Sequence, residues 1–92
     1  MIRSFRHKGL AMYFGKSDSR RLPTDRIARI GRWLDRLDSS IRPEDMQLSG
    51  FGWHALKGSR EGAYAVEVSG NRRLTFRVDG ANAIDVDLED YR

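Results

Sequence analysis

The chain has 92 residues, of which 33% are charged and 39% are hydrophobic, and it contains no cysteine. This length fits one domain, residues 1–92, and the lack of cysteine excludes a disulfide framework and a thiolate metal site. The two histidines are far apart in sequence, so we expect no metal and no cofactor. The chain shows neither a signal peptide nor a membrane-spanning run, which predicts a cytoplasmic protein.

Charge is distributed unevenly along the chain. Residues 1–84 hold sixteen Lys and Arg against nine Asp and Glu, whereas residues 85–92 hold one Arg against four acids. Fourteen of the seventeen cations are arginine. Because a guanidinium binds phosphate through two parallel hydrogen bonds and stacks on bases, this bias favours an RNA or acidic protein partner. The alternative is a solvated basic face.

Two helices are predicted in the first half of the chain, after a short strand at Ile2–Phe5. The first covers Lys8–Phe14, and Gly15 is its expected terminator. The second covers Thr24–Asp38, with Thr24 as the N-cap. Its polar side carries arginines that are either solvated or a contact surface for nucleic acid or an acidic partner. These are Arg26, Arg29, Arg32 and Arg36, and the apolar stripe opposite them is Ile27, Ile30, Leu34 and Leu37.

Alternating apolar residues predict strands in the second half. A strand-like run at 51–57 precedes three segments joined by turns at 69–71 and 79–82. In the last two segments, the side facing the core is predicted to hold Leu74, Phe76, Val78, Ile84, Val86 and Leu88. The predicted fold is α+β, a twisted, mostly antiparallel sheet with the two N-terminal helices packed on one face.

The outward side of the last two strands carries charged residues. Arg77, Asp85 and Asp87 are interpreted as cross-strand partners. Arg73 begins its strand beside the turn at Gly70–Asn71. There we expect it to face an anionic ligand rather than a neighbouring side chain.

Most enzyme motifs are missing from the sequence. It contains no Walker-type glycine loop, no nucleophile elbow and no zinc-ligand spacing. RNA cleavage, however, needs no metal if a base takes the 2′-hydroxyl proton, cations stabilise the phosphorane and an acid protonates the departing 5′ oxygen. Residue types suited to those steps lie near predicted strand ends, although composition alone does not select this chemistry. They are Lys57, Arg73, Asp90 and Tyr91.

Four short segments, in order over essentially the whole chain, resemble the HigB branch of the RelE/ParE toxin superfamily. They are MIRSFRHKGL at 1–10, HALKGSREG at 54–62, NRRLTF at 71–76 and EDY at 89–91. The resemblance implies a RelE-like fold and the toxin of a type II toxin–antitoxin system, a ribosome-dependent mRNA endonuclease that cuts mRNA in the ribosomal A site. It also implies a HigA-type helix-turn-helix antitoxin as partner, through which the complex would bind operator DNA.

The resemblance also implies site residues. Arg73 is assigned to the scissile phosphate and Lys57 to charge stabilisation or proton transfer. Tyr91 is expected to stack on or orient a base, and Asp90 to orient a partner or act as the base; a packing role at the sheet rim is the alternative for Tyr91. The predicted substrate-binding residues are His54, Arg60, Asn71 and Arg72. For His54, the alternative is a packed or hydrogen-bonded histidine without a role in catalysis.

The chain departs from the resembled family at its end, where Arg92 replaces histidine. Imidazole exchanges a proton near neutral pH, whereas guanidinium stays protonated and only donates hydrogen bonds or stabilises charge. Arg92, which we include in the predicted catalytic set, therefore indicates a weakened enzyme, an altered mechanism or an inactivating substitution. Two alternative functions stay open at this point, a ParE-like gyrase poison and a non-catalytic module that binds only the antitoxin or the ribosome.

Overall fold

A computed structural model of the chain describes residues 1–48 and 50–90. Two helices are followed by four strands, and each strand pairs antiparallel with the next to form one sheet in the order β1-β2-β3-β4. The helices are α1 (Lys8–Lys16) and α2 (Ile27–Ser39), and the strands are β1 (His54–Ala55), β2 (Ala63–Ser69), β3 (Arg72–Asp79) and β4 (Asn82–Asp90). Short 3₁₀ turns occupy Thr24–Arg26, Pro43–Met46 and Gly58–Arg60. The predicted α+β architecture is confirmed.

Helix α2 fixes the helical layer to the sheet. Ile30, Leu34 and Leu37 are buried, as their spacing predicts. Complete burial of such a side chain stabilises the fold by about 1.5–3 kcal/mol. The indole N–H of Trp33 also donates a 2.7 Å hydrogen bond to the carbonyl oxygen of Glu67 on β2. The core around this stripe includes Leu10 of α1 and the inner sheet residues Val66, Val68, Leu74, Phe76 and Val86.

Two predicted helix boundaries are wrong. Helix α1 continues through Gly15 to Lys16, and the residue that caps it, Ser17, adopts a left-handed conformation with φ 57°. A glycine terminator is not needed because Ser17 takes that conformation itself. Thr24 is not an N-cap, since it is the first residue of the 3₁₀ turn that leads into α2 and neither start has a side-chain cap hydrogen bond.

A β-bulge in β4 changes which of its side chains face the core. Asp85 has a φ of 53°, and the register between β3 and β4 shifts at this point. Beyond the shift, Ile84 pairs with Arg77 on the outer side, while Ala83 and Val86 are the buried residues. The prediction that Ile84 faces the core is therefore wrong, because one extra residue inverts the alternation of a strand.

The first six residues run along the free edge of β4. Parallel bridges join Ile2 to Ala83 and Phe5 to Val86, in place of the continuous strand predicted at Ile2–Phe5. This segment covers an edge that would otherwise expose unpaired backbone groups. It also brings the start of α1 next to the end of β4, where functional residues are predicted. In the described part of the chain, no helix has both the length and the apolar character to cross a membrane.

Candidate functional site

The sheet face opposite the helices carries a network of charged side chains centred on Glu89. Glu89 of β4 is the cross-strand partner of Arg73 on β3. Its carboxylate accepts two hydrogen bonds from the guanidinium of Arg60, one of them 2.7 Å between Nη1 and Oε1. It also accepts from Nη2 of Arg73 at 3.4 Å and from Oγ1 of Thr75 at 2.8 Å. Two cations and one hydroxyl therefore meet at one carboxylate, an arrangement we call the Glu89 network.

The Glu89 network is partly shielded from water but remains accessible. The side chains of Arg73 and Glu89 are 17% and 20% exposed, and that of Arg60 is 39% exposed. Thr75 lies beneath them at 2% exposure. With two guanidiniums around one carboxylate, the network has a net charge of +1 and can attract a further anion. Each guanidinium has five N–H donors, so Arg60 and Arg73 retain N–H groups that can donate to a phosphate while they bond to Glu89.

Arg60 holds the pKa of the Glu89 carboxyl below its ordinary value of 4.5, at about 2, with Thr75 and Arg73 adding to the effect and burial opposing it. Glu89 is therefore ionised at neutral pH. Because the pKa is lower in the folded state, the network contributes its full stability above pH 4.5 and loses it as the pH falls towards 2.

We expect Glu89→Gln to lower the free energy of unfolding at pH 7 by about 1–3 kcal/mol, since hydrogen bonds to charged groups are lost. At about pH 3 the difference from wild type should be smaller, because part of the ionised contribution is then lost from the wild-type protein as well. Thermal unfolding of both proteins at the two pH values measures this. Equal differences at both pH values would contradict the assignment.

The structure corrects the predicted roles of the outward charges. Arg73 faces a neighbour, Glu89, whereas we expected it to face only a ligand. Arg77 pairs in register with Ile84 and donates from Nη1 to the Glu61 carbonyl at 3.3 Å, so the predicted pairing of Arg77 with acidic residues of β4 is wrong. The bulge in β4 is the cause, because it shifts the acidic residues relative to β3.

Arg72 and Asp90 form the last pair of the β3–β4 hairpin. Neighbouring residues of a strand point to opposite faces of the sheet. Because Arg73 and Glu89 lie on the open face, Arg72 and Asp90 lie on the helix side. Both line a groove of about 320 Å³, which we call the end groove. Its lining residues are His7, Arg21, Pro23, Arg72, Leu88 and Asp90. The structure thus places Arg73 and Asp90 on opposite faces of the same end of the sheet.

The remaining predicted residues lie around β1 and the β2–β3 turn. Lys57 lines a second groove, of about 590 Å³, which also includes Tyr64. His54 is exposed, and its Nδ1 lies 3.1 Å from the Gly52 carbonyl oxygen, which matches the hydrogen-bonded alternative. Asn71 accepts a hydrogen bond from the Ser69 hydroxyl across the turn at 3.2 Å. The predictions for Tyr91 and Arg92 fall outside the described residues.

The sequence matches a protein-family model at residues 3–91. The family is described as the RelE-like toxin HigB of type II toxin–antitoxin systems. The chain belongs to the HigB-like toxin family. A protein called Endoribonuclease HigB, from Proteus vulgaris, is 34% identical over 91 residues, which are 99% of each chain. The family resemblance predicted from four short segments is confirmed. As a HigB-like toxin of a type II system, the protein has a cognate antitoxin as its partner.

Three residues near the HigB-like toxin's predicted site were not predicted to contribute to it. Glu89 bonds to both Arg60 and Arg73, and it comes opposite Arg73 only because the bulge in β4 shifts the hairpin register by one residue, which local sequence does not indicate. His7 and Arg21 line the end groove, although they lie far from Asp90 in sequence. No local pattern indicates such a contact, because it depends on how the loop after α1 packs against the sheet.

Proposed function

We propose that this HigB-like toxin is an endoribonuclease that cleaves mRNA in the ribosomal A site and so inhibits translation. The observation that carries the proposal is the Glu89 network, in which Arg60 and Arg73 are held together on an accessible face with one net positive charge. Such a pair suits the phosphodiester of RNA. The name of the Proteus vulgaris relative supports the same activity, and the matched family does not favour the gyrase or non-catalytic alternatives.

The proposed reaction needs only side chains and the RNA itself. A base removes the proton of the 2′-hydroxyl, the 2′ oxygen forms a bond to phosphorus, and the bond to the 5′ oxygen breaks as an acid protonates that oxygen. The products are a 2′,3′-cyclic phosphate and a 5′-hydroxyl. Arg73 stabilises the negative charge of the phosphorane, and Lys57 supplies a second cation or a proton.

The low pKa of Glu89 separates the roles of the two neighbouring carboxylates. A general base works best when its pKa lies near the working pH. The pKa of Glu89 is about 2, so Glu89 is a weak base and acts instead by positioning Arg60 and Arg73. Asp90 is exposed at the same end of the sheet but on its other face, beside the end groove, so we assign it to orienting a partner, the other role predicted for it.

The proposed partners are a HigA-type helix-turn-helix antitoxin, the ribosome and, through the antitoxin, operator DNA. The arginines of α2 form a basic surface on the other side of the molecule, but several also have internal contacts. The guanidinium carbons of Arg29 and Arg32 lie 5.6 and 5.8 Å from the ring centre of Trp33, and Arg36 donates to the Asp45 carbonyl at 3.1 Å. We expect the toxin to act in the cytoplasm, where mRNA is translated.

Mapping of RNA ends in a translating extract tests the proposed function. Addition of the wild-type protein should create new 5′ ends within codons of an actively translated mRNA, detected by primer extension. The same mRNA without ribosomes should stay largely intact. No new ends in either reaction would refute the endoribonuclease, whereas equal cleavage in both would refute the requirement for the ribosome.

We expect Arg92→His to increase the cleavage rate. Histidine at this position can transfer a proton at neutral pH, which guanidinium cannot do. The rate of appearance of new mRNA ends at matched protein concentrations measures the change, and Arg92→Lys serves as the control that keeps the charge. If the histidine and lysine variants cleave at the same rate, the terminal position takes no part in proton transfer.

A further inference from the structure

The end groove has the size and the chemical character of a site for one nucleotide. Its volume of about 320 Å³ lies within the range of ligand pockets, about 300–1,000 Å³. Arg21 and Arg72 supply positive charge, Asp90 supplies an acceptor, and Pro23 and Leu88 supply apolar walls. Phosphate, a polar base edge and an apolar base face are the three features of a nucleotide that these groups would contact.

Gly9 brings two of the lining residues together. A β-carbon at this position would lie 2.8 Å from Cε1 of His7 and 2.9 Å from Cβ of Arg21, closer than real contacts allow. The missing side chain therefore lets the loop that carries Arg21 pack directly on the start of α1. The next residue, Leu22, is buried in the core, which fixes the same loop. The wall of the groove is thus held in place by packing.

His7 contributes a defined donor to this wall. Its Nδ1 accepts a 3.2 Å hydrogen bond from the backbone N–H of Leu10 and so caps α1. In a neutral imidazole whose Nδ1 is an acceptor, the proton lies on Nε2. The ring therefore offers an N–H donor that complements the two guanidiniums. Such a set of donors matches phosphate or the acceptor atoms of a base.

The end groove and the Glu89 network lie on opposite faces at the same end of the sheet. Arg72 lines the groove, and the next residue, Arg73, belongs to the network on the other face of the sheet. An RNA strand that crosses this end of the sheet would contact both. We infer that the end groove binds the nucleotide adjacent to the cleaved bond and that Arg21, together with Arg72, holds its phosphate. This inference rests on the proposed function.

Two neighbouring arginines allow a matched test. Arg21 lines the groove, whereas Arg20 is bonded to Asp18 at 2.8 Å and its side chain is 84% exposed. The probe is a fluorescein-labelled tetra-adenylate with 2′-O-methyl riboses, which cannot be cleaved. We expect Arg21→Gln to weaken binding of this probe about 5- to 20-fold. The slope of the logarithm of the binding constant against the logarithm of the salt concentration should become shallower by about 0.7, the value for one phosphate contact with a single strand. Arg20→Gln should bind within about twofold of wild type.

The outcomes separate this inference from the proposed function. Equal affinities of Arg21→Gln and Arg20→Gln, or no binding by the wild-type protein, would overturn the assignment of the groove. The proposed function stands, even when the groove assignment fails, if wild-type protein cleaves mRNA and Arg73→Ala does not. If wild-type protein does not cleave mRNA, both fail. Thermal unfolding verifies that each variant is folded. If Arg21→Gln does not fold, Arg72→Gln takes its place, and it should also weaken binding.

Discussion

Replacement of Arg73 by alanine is expected to lower the rate of mRNA cleavage by about 10²- to 10³-fold, the usual cost of removing a donor that stabilises transition-state charge. The guanidinium of Arg73 donates a hydrogen bond to Glu89, and Arg73 lies at the end of β3 nearest the end groove. The protein should remain folded, because Arg60 and Thr75 still bond to Glu89. Single-turnover cleavage of mRNA on programmed ribosomes measures the rate.

Arg77 provides the control for this prediction. It lies four residues further along the same strand and on the same face, and its guanidinium donates to the Glu61 carbonyl. Arg77→Ala removes the same charge from the same face but leaves the hydrogen bonds of the Glu89 network in place, so it should reduce cleavage by less than about threefold. Similar losses in the two variants would mean that Arg73 acts only through the general basic charge of the surface.

Glu89→Gln is expected to reduce the maximal cleavage rate about 10-fold or more while the concentration for half-maximal rate stays the same or falls. Glutamine cannot accept both parallel hydrogen bonds of the Arg60 guanidinium, so the two arginines lose their fixed orientation. At the same time, removal of the carboxylate raises the local charge from +1 to +2, which favours RNA binding. If Glu89 has a purely structural role, the maximal rate should fall and the concentration for half-maximal rate should rise.

Asp87→Asn is the matched control for Glu89→Gln. Asp87 is close enough to raise the pKa of Arg60 through its charge, and its Oδ1 accepts from the Leu88 backbone, a bond that asparagine can also accept. This variant removes the same charge near the same guanidinium but leaves the Glu89 network intact. Its maximal rate should equal that of wild type. An equal loss of rate in both variants would show that charge, and not positioning, is responsible.

The parts of the fold that follow regular periodicity could be predicted from the sequence. The stripe of Ile30, Leu34 and Leu37 predicted both the position of α2 and its buried side, because burial of one helical face determines its packing. The outer face of β4 could not be predicted in the same way. Asp85 adopts a positive φ without being glycine, and this single bulge moved Ile84 away from the core.

The candidate site was predictable in its residue types but not in its grouping. The resemblance selected Arg60, Arg73 and Asp90, and the β3–β4 hairpin placed Arg73 and Asp90 at one end of the sheet. Which side chains bond depends on strand register and on loop packing, so neither the carboxylate of Glu89 nor the approach of Arg21 to the groove followed from local sequence. Such long-range contacts require the folded structure.

The most direct measurement is an NMR titration that observes the guanidinium Nε–H signals of ¹⁵N-labelled protein as the non-cleavable tetra-adenylate is added. If Arg60 and Arg73 hold the phosphate of the cleaved bond, their signals should shift most, and Glu89→Gln should change the pattern at both. Shifts confined to the arginines of α2, such as Arg29 and Arg32, would contradict the account, because RNA would then bind the opposite side of the molecule.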